Sequence, residues 1–386
     1  MRPWLVLVIA GYAAILLASW SAVYPVNDYA GFIAGARGLL AGIDPYDARV
    51  WPTAFGTLGT QRPDTAVFGY PPWIALAFLP FAPLPLAVGS FIWSAGTLSL
   101  ALLAVRSVTR RFSLGSPAWP LALAGLSWPA FLVFVQGQWT YLLLALACMT
   151  LLDLDAHRDL RAGAWWAIAL LVKPQLFVVG SIALLAWVVV RRRWSVLVGG
   201  ALLGVAAIVA GTLAAPGWIG PYLHDVVTAR VVRSIQQPTL AGLAGDVAGP
   251  QLWPNVWAIG ALALIAAALL AIRRSPPRQR GALAFAAFIA VSVATALYSW
   301  SYDQYLVVLA GVAAIGVSRQ AGPPEARATI ARTVALYWPV AIALFFSAYP
   351  RVHDTLAGLV PPLSLALLLT AAIRATRTSP TRALPY

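Results

Sequence analysis

A carboxylate, a lysine and several amides stand out in this sequence. Each lies at the edge of an apolar stretch, where an ionisable or strongly polar group is costly unless it has a use. Asp28 follows Asn27 and opens the pattern Tyr29, Phe32, Ile33, Ala36, Leu39, Leu40. A carboxylate there is able to take the proton from an attacking hydroxyl, the work of a general base. It is equally placed to cap the helix that the pattern implies. Lys173, the only lysine, is flanked by Leu170, Leu171, Val172 and Pro174. It either snorkels to an interface or offers a point charge to a phosphate. Gln136-Gly137-Gln138 is either a tight hairpin turn or a pair of amides for sugar hydroxyls. Asp303 either caps the apolar run that it opens or takes part in chemistry. Asp44-Pro45-Tyr46-Asp47 reads as a turn. His224 and His353 are candidates for phosphate or metal, competing with a solvated-loop reading. Three scattered histidines make no metal-ligand spacing. Asp153, Asp155, His157 and Asp159 are interleaved with Arg158 and Arg161, which predicts a solvated hairpin rather than a metal site. No phosphate-cradling glycine loop and no serine nucleophile motif is present.

The elements that position these residues must lie in lipid. Of 386 residues, 61% are hydrophobic and 10% charged, and the mean hydropathy is +0.81. Soluble domains carry about 25% charged residues, so this chain lacks the polar surface to face water on all sides. No small-residue cleavage site follows the first apolar run, so no cleavable signal peptide is expected. The net charge of +14 does not form a nucleic-acid-binding face. The arginines sit in short loops between apolar runs, the positive-inside pattern. Cys148 lies alone in an apolar run and is expected to be core.

Twelve apolar runs are readable: 4–23, 86–105, 118–134, 138–153, 162–173, 174–190, 194–215, 255–272, 281–298, 303–318, 331–348 and 356–373. A span takes roughly 20 residues, or about 17 at the short end, so 162–173 is expected to be half of a bent or re-entrant pair with 174–190. The arginine clusters at 106–111, 158–161, 191–193, 273–280, 319–332 and 374–377 are separated by even numbers of crossings, provided the proline-rich 70–85 stretch does not cross. Both termini are then cytoplasmic. Two large loops, 24–70 and 216–254, fall outside. Each carries a short amphipathic helix expected to lie in the interface. The first runs from Asp28 as N-cap to a stop at Gly42; the second follows Trp218, Ile219, Tyr222, Leu223, Val226 and Val227. The chain reads as one integral membrane domain, 1–386, with a tail at 375–386 expected to be disordered. With the arginines inside, the unusual polar residues all fall outside at helix ends. A channel or carrier would more often place them near the midplane. A site at one interface suits chemistry on a molecule embedded in that leaflet.

An ordered set of motifs resembles glycosyltransferase family 87. It comprises Asn27-Asp28-Tyr29, the run Ala36-Arg37-Gly38-Leu39-Leu40-Ala41-Gly42-Ile43-Asp44-Pro45-Tyr46-Asp47, Phe68-Gly69-Tyr70-Pro71-Pro72, Gly137-Gln138 and Lys173-Pro174-Gln175. The resemblance implies an all-α, polytopic GT-C membrane glycosyltransferase with about 12 transmembrane helices. It implies a polyprenyl-phosphate-sugar donor, with mannose the expected sugar, and an acidic base in the first outer loop, which maps onto Asp28. The acceptor is expected to be a glycolipid or glycan at the extracytoplasmic face of the cell membrane. The alternatives are an arabinose or other sugar donor and, from another class, a lipid-linked sugar flippase. The donor phosphate is expected at Lys173, with His224, Arg230, Arg233 or Arg351 as further contacts. Asn27, Tyr29, Asp44, Tyr70, Gln136, Gln138, Gln175, Tyr302 and Asp303 are the candidates for sugar and acceptor. No cofactor, metal or nucleic-acid partner is expected. The chain departs from the family at Ser299-Trp300-Ser301-Tyr302-Asp303, where many members carry a histidine.

Overall fold

Proline and glycine cut the apolar stretches into helices. In the computed structural model, which describes residues 3–24, 27–52, 67–228, 236–348 and 355–378, regular structure is helical throughout with no strand among those residues. The helices are α1 (Pro3–Val23), α2 (Asp28–Leu40), α3 (Pro72–Phe78), α4 (Leu86–Arg111), α5 (Ala118–Leu126), α6 (Trp128–Gln136), α7 (Thr140–Asp155) and α8 (Asp159–Val172). They continue as α9 (Val178–Arg191), α10 (Ser195–Ala214), α11 (Leu240–Arg273, broken by a kink where Gly249 leaves the helical region at φ 71°, ψ 176°), α12 (Arg280–Thr295), α13 (Val308–Ser318), α14 (Pro323–Ala335), α15 (Ala341–Ala348) and α16 (Val360–Thr378).

Six helical stretches among the described residues are long and apolar enough to cross a membrane: Leu86–Arg111, Ser195–Ala214, Leu240–Arg273, Ser301–Ala321, Pro323–Phe346 and Thr355–Thr376. A seventh is the pair α5 and α6, bent by 49° where Ser127 leaves the helical region and restarts it as an N-cap. The remaining apolar runs give shorter helices. α8 and α9 have 14 residues each, about 21 Å at 1.5 Å per residue, against a hydrocarbon core of about 30 Å. The break between them is chemical. Pro174 excludes the α conformation from the residue before it, and Lys173 is extended at φ −144°, ψ 74°. α3 has seven residues and is too short to cross. α16 runs on to Thr378, into the stretch expected to be a tail.

Glycines bring helices to backbone contact, as small residues do in membrane bundles. A Cβ on Gly163 of α8 would lie 1.8 Å from the Val196 carbonyl oxygen of α10, and one on Gly199 2.0 Å from that of Leu160. α10 and α11 leave Leu202, Leu213, Ile259 and Leu262 exposed, a lipid-facing pattern, whereas α13 is buried along its whole length. Cys148 is fully buried, as expected.

Two sequence expectations are corrected. The helix after Asp28 occupies the expected residues, but its apolar face packs into protein instead of lying on the interface. Tyr29, Phe32, Ile33 and Ala36 are buried because Phe68, Tyr70, Phe78 and Trp139 close around them. In the 216–254 segment the predicted stripe forms Ile219–Pro221 and the π-helical Tyr222–Val227, with Ile219, Leu223 and Val227 exposed, and residues 240–254 belong to α11. In the acidic run at 153–159 the turn from Asp155 to Arg158 is exposed, as expected of a hairpin, but Asp153 is not solvated. Asp153 is fully buried and accepts from Arg158 Nε (2.6 Å) and Trp165 Nε1 (2.9 Å), with Arg161 3.3 Å away. Asp155 binds Arg111, and Asp159 binds Arg193. No group of three or more potential metal ligands occurs among the described residues.

Candidate active site

α7 and α8 each have an arginine-paired end and an opposite end. The opposite ends hold Gln138 and Lys173. The start of α2 joins them there, with the 3-10 turn Ser301–Val307 that leads into α13.

Asn27, not Asp28, caps α2. Its Oδ1 accepts from Ala30 N at 3.3 Å, while its Nδ2 donates to the Val135 carbonyl at 3.0 Å. The cap therefore fastens α2 to the end of α6 and leaves Asp28 at the first helical position with its carboxylate available for another partner. That partner is Gln138, whose Nε2 donates to Asp28 Oδ2 at 2.5 Å and to Tyr302 Oη at 3.1 Å. Gln138 points inward because Gly137 ends α6 in the left-handed region (φ 64°) and Gln138 N bonds back to the Val133 carbonyl at 3.1 Å, a Schellman-type close. A Cβ at Gly137 would sit 2.7 Å from Tyr29 Cβ, so glycine is required both for the φ and for the approach of α2. Trp93 Nε1 donates to the Gly137 carbonyl at 2.9 Å and holds the turn from α4.

The second half of the cluster is a buried ion pair. Lys173 Nζ lies 2.7 Å from Asp303 Oδ1, with side-chain exposures of 6% and 1%. Asp303 Oδ1 also accepts from Thr140 Oγ1 at 3.0 Å, and its Oδ2 accepts from Trp300 N at 3.1 Å. Asp303 is thus both cap and counter-ion. The Lys173 ammonium stands 4.7 Å from the centroid of the Tyr302 ring, a cation–π geometry. Tyr302 therefore touches both halves, the Asp28–Gln138 pair through its hydroxyl and Lys173 through its ring. One charged cluster, Asp28–Gln138–Tyr302–Lys173–Asp303, is assembled from four separate segments of chain.

Other candidates lie differently. Tyr29 is fully buried, and its hydroxyl has no hydrogen-bond partner among the described residues. Asp44 is exposed and accepts from Tyr46 N at 2.9 Å, the expected turn. Tyr70 is half-buried; its ring packs edge-on against Phe32, and its carbonyl accepts from the Tyr46 hydroxyl. Gln136 and Gln175 are half-buried at the end of α6 and after Pro174. His224 is 87% exposed and paired with Asp225, and no contact brings it to Lys173. Arg230, Arg233 and Arg351, with His353, lie outside the described residues. Thr140, which donates to Asp303, is marked by nothing in its local sequence pattern.

The family model described as glycosyltransferase family 87 matches residues 68–299. The match takes in Gln138 and Lys173. No curated protein and no solved structure matches the chain.

Proposed function

The chain belongs to glycosyltransferase family 87 and is a membrane glycosyltransferase; from that premise we propose that it moves mannose from a polyprenyl-phosphate donor to a glycolipid or glycan at the extracytoplasmic face. The reaction is an inverting single displacement. The acceptor hydroxyl oxygen forms a bond to the anomeric carbon as the bond from that carbon to the phosphate oxygen breaks. Asp28 takes the hydroxyl proton, and the lipid phosphate leaves with the bonding pair. Gln138 holds one carboxylate oxygen of Asp28 at 2.5 Å, which fixes the orientation of the base.

The observation that carries this reading is the joining of Asp28 to Lys173 through Tyr302. A base for the acceptor and a cation for the leaving phosphate must flank one reacting carbon, and these two flank one tyrosine. Charge develops on the phosphate oxygen in the transition state, and fixed donors aimed at that oxygen lower the barrier. An ammonium has three N–H donors. Asp303 accepts one from Lys173, and the phosphate takes another. Because Asp303 offsets the charge of Lys173, the remaining positive charge is assigned to Arg230, Arg233 and Arg351 of the outer loops. The arginine pairs sit at the opposite ends of α7 and α8, which supports placing the cluster outside and both termini in the cytoplasm. A cluster confined to one end also favours transfer over flipping, which needs access from both faces.

Purified protein incubated with polyprenyl-phosphate-mannose and a membrane-lipid extract tests the proposal by mass spectrometry. A product one hexose heavier supports it. A product formed only with polyprenyl-phosphate-arabinose changes the sugar and keeps the class. Movement of donor between leaflets of vesicles without any product supports the flippase instead.

A further inference from the structure

A cavity lies at the other end of the bundle from the Lys173 cluster, among α7, α8, α9 and α12 below the end of α4. It holds about 260 Å³ and is walled by Phe112, Trp166, Leu184, Trp187, Phe285 and Phe288, with Asp155 as its one ionisable lining residue. It runs from Gly180 to Trp187 along α9 and from Gly281 to Ile289 along α12. Seven or eight residues at 1.5 Å each give roughly 10–12 Å. That is most of one leaflet's hydrocarbon, about half of a 30 Å core.

Toward the Lys173 cluster the cavity is walled by aromatic rings. Trp166 packs edge-on against Phe177 (5.2 Å) and Phe285 (5.6 Å), and Phe177 is fully buried. The lower end is rimmed with positive charge. Arg111 binds Asp155 at 2.5 Å. The Arg193 guanidinium lies 4.9 Å from the centroid of the Trp187 ring and donates to the Leu154 carbonyl at 2.9 Å. Arg110, Arg191, Arg192 and Arg280 are exposed within about a turn of lining residues. Asp155 and Asp159 offset only part of this charge.

We propose that this cavity binds one acyl chain of an anionic phospholipid from the leaflet on the arginine-rich side, with its phosphate against Arg111 and the neighbouring rim arginines. An apolar slot one leaflet deep fits a single hydrocarbon chain. A surplus of guanidinium at its mouth selects an anionic over a zwitterionic headgroup, since arginine at a charged membrane surface favours anionic lipid. The aromatic wall separates this lipid from the donor's own chain, so the site is independent of the sugar-transfer reaction and of the identity of the donor.

Native mass spectrometry of the purified protein, titrated with dioleoyl-phosphatidylglycerol or dioleoyl-phosphatidylcholine, tests this. One phosphatidylglycerol is expected to stay bound in preference to phosphatidylcholine. Ala284→Trp on α12 and Ala183→Trp on α9 each fill the cavity and are expected to abolish that retention. Having one variant on each wall lets the second decide if the first fails to elute as folded protein. Arg111→Gln is expected to reduce the preference about fivefold, the equivalent of ~1 kcal/mol for one arginine. Equal retention of the two lipids, or retention unchanged in the folded Trp variants, overturns the site. Displacement of phosphatidylglycerol by added polyprenyl phosphate also overturns it and assigns the cavity to the donor chain.

Discussion

Replacing Lys173 by Met removes the cation from a pair whose members are 6% and 1% exposed and 2.7 Å apart. Asp303 keeps its bonds from Thr140 and Trp300 N, but its charge then has no counter-ion where water cannot reach it. Breaking a buried pair on one side costs about 3–5 kcal/mol. Asp303→Asn should cost a similar amount from the other side, eased by the Tyr302 ring under the ammonium, a contact worth ~1–2 kcal/mol when desolvated. The double variant Lys173→Met/Asp303→Asn contains neither charge, and its amide still accepts from Trp300 N. It should lose less stability than the two single variants together, with a coupling of about 1–3 kcal/mol. Thermal unfolding of all four proteins in one detergent reads this order. Turnover is expected to be lost in the double variant as in Lys173→Met, because stability returns without the phosphate contact. Additive losses would refute the pairing, and wild-type turnover in Lys173→Met would refute the role of the lysine.

Gln138→Leu deletes one hydrogen bond to a charged carboxylate, about 1.5–3 kcal/mol, so kcat should fall roughly 10- to 100-fold with little change in donor KM; a rise in KM alone would return Gln138 to the role of a sugar contact. Gly163→Ala should lower the unfolding temperature and Gly204→Ala should not, because a Cβ at the first meets the Val196 carbonyl at 1.8 Å and at the second meets nothing within 4 Å. His224→Ala should leave kcat within about twofold, the range expected of a surface change away from the chemistry; a larger loss would place the 216–254 segment at the donor.

The local signals in this chain were legible and the long-range ones were not. Asn27-Asp28 and Gly42 bracket α2 in sequence, because caps and stops are short-range chemistry, although the cap proved to be Asn27. Pro174 marks the break at Lys173 for the same reason. The partner of Lys173 is 130 positions away, and no periodicity within either segment reveals it. Asp153 looked solvated because arginines surround it in sequence. In the fold those arginines cover it. The α2 stripe looked interfacial because one helix alone cannot show that Phe68, Phe78 and Trp139 will close over it. Apolar runs report lipid or protein burial alike, so the number of runs does not give the number of crossings.

The central claim is that Asp28 is the base of a sugar transfer at this cluster. Its most direct test is the rate of hexose transfer from polyprenyl-phosphate-mannose by wild type and Asp28→Asn, each confirmed folded by its unfolding temperature. Asparagine preserves the shape but cannot accept the proton, so the account expects a fall of about 10²–10⁴-fold. Transfer by Asp28→Asn at the wild-type rate would contradict it.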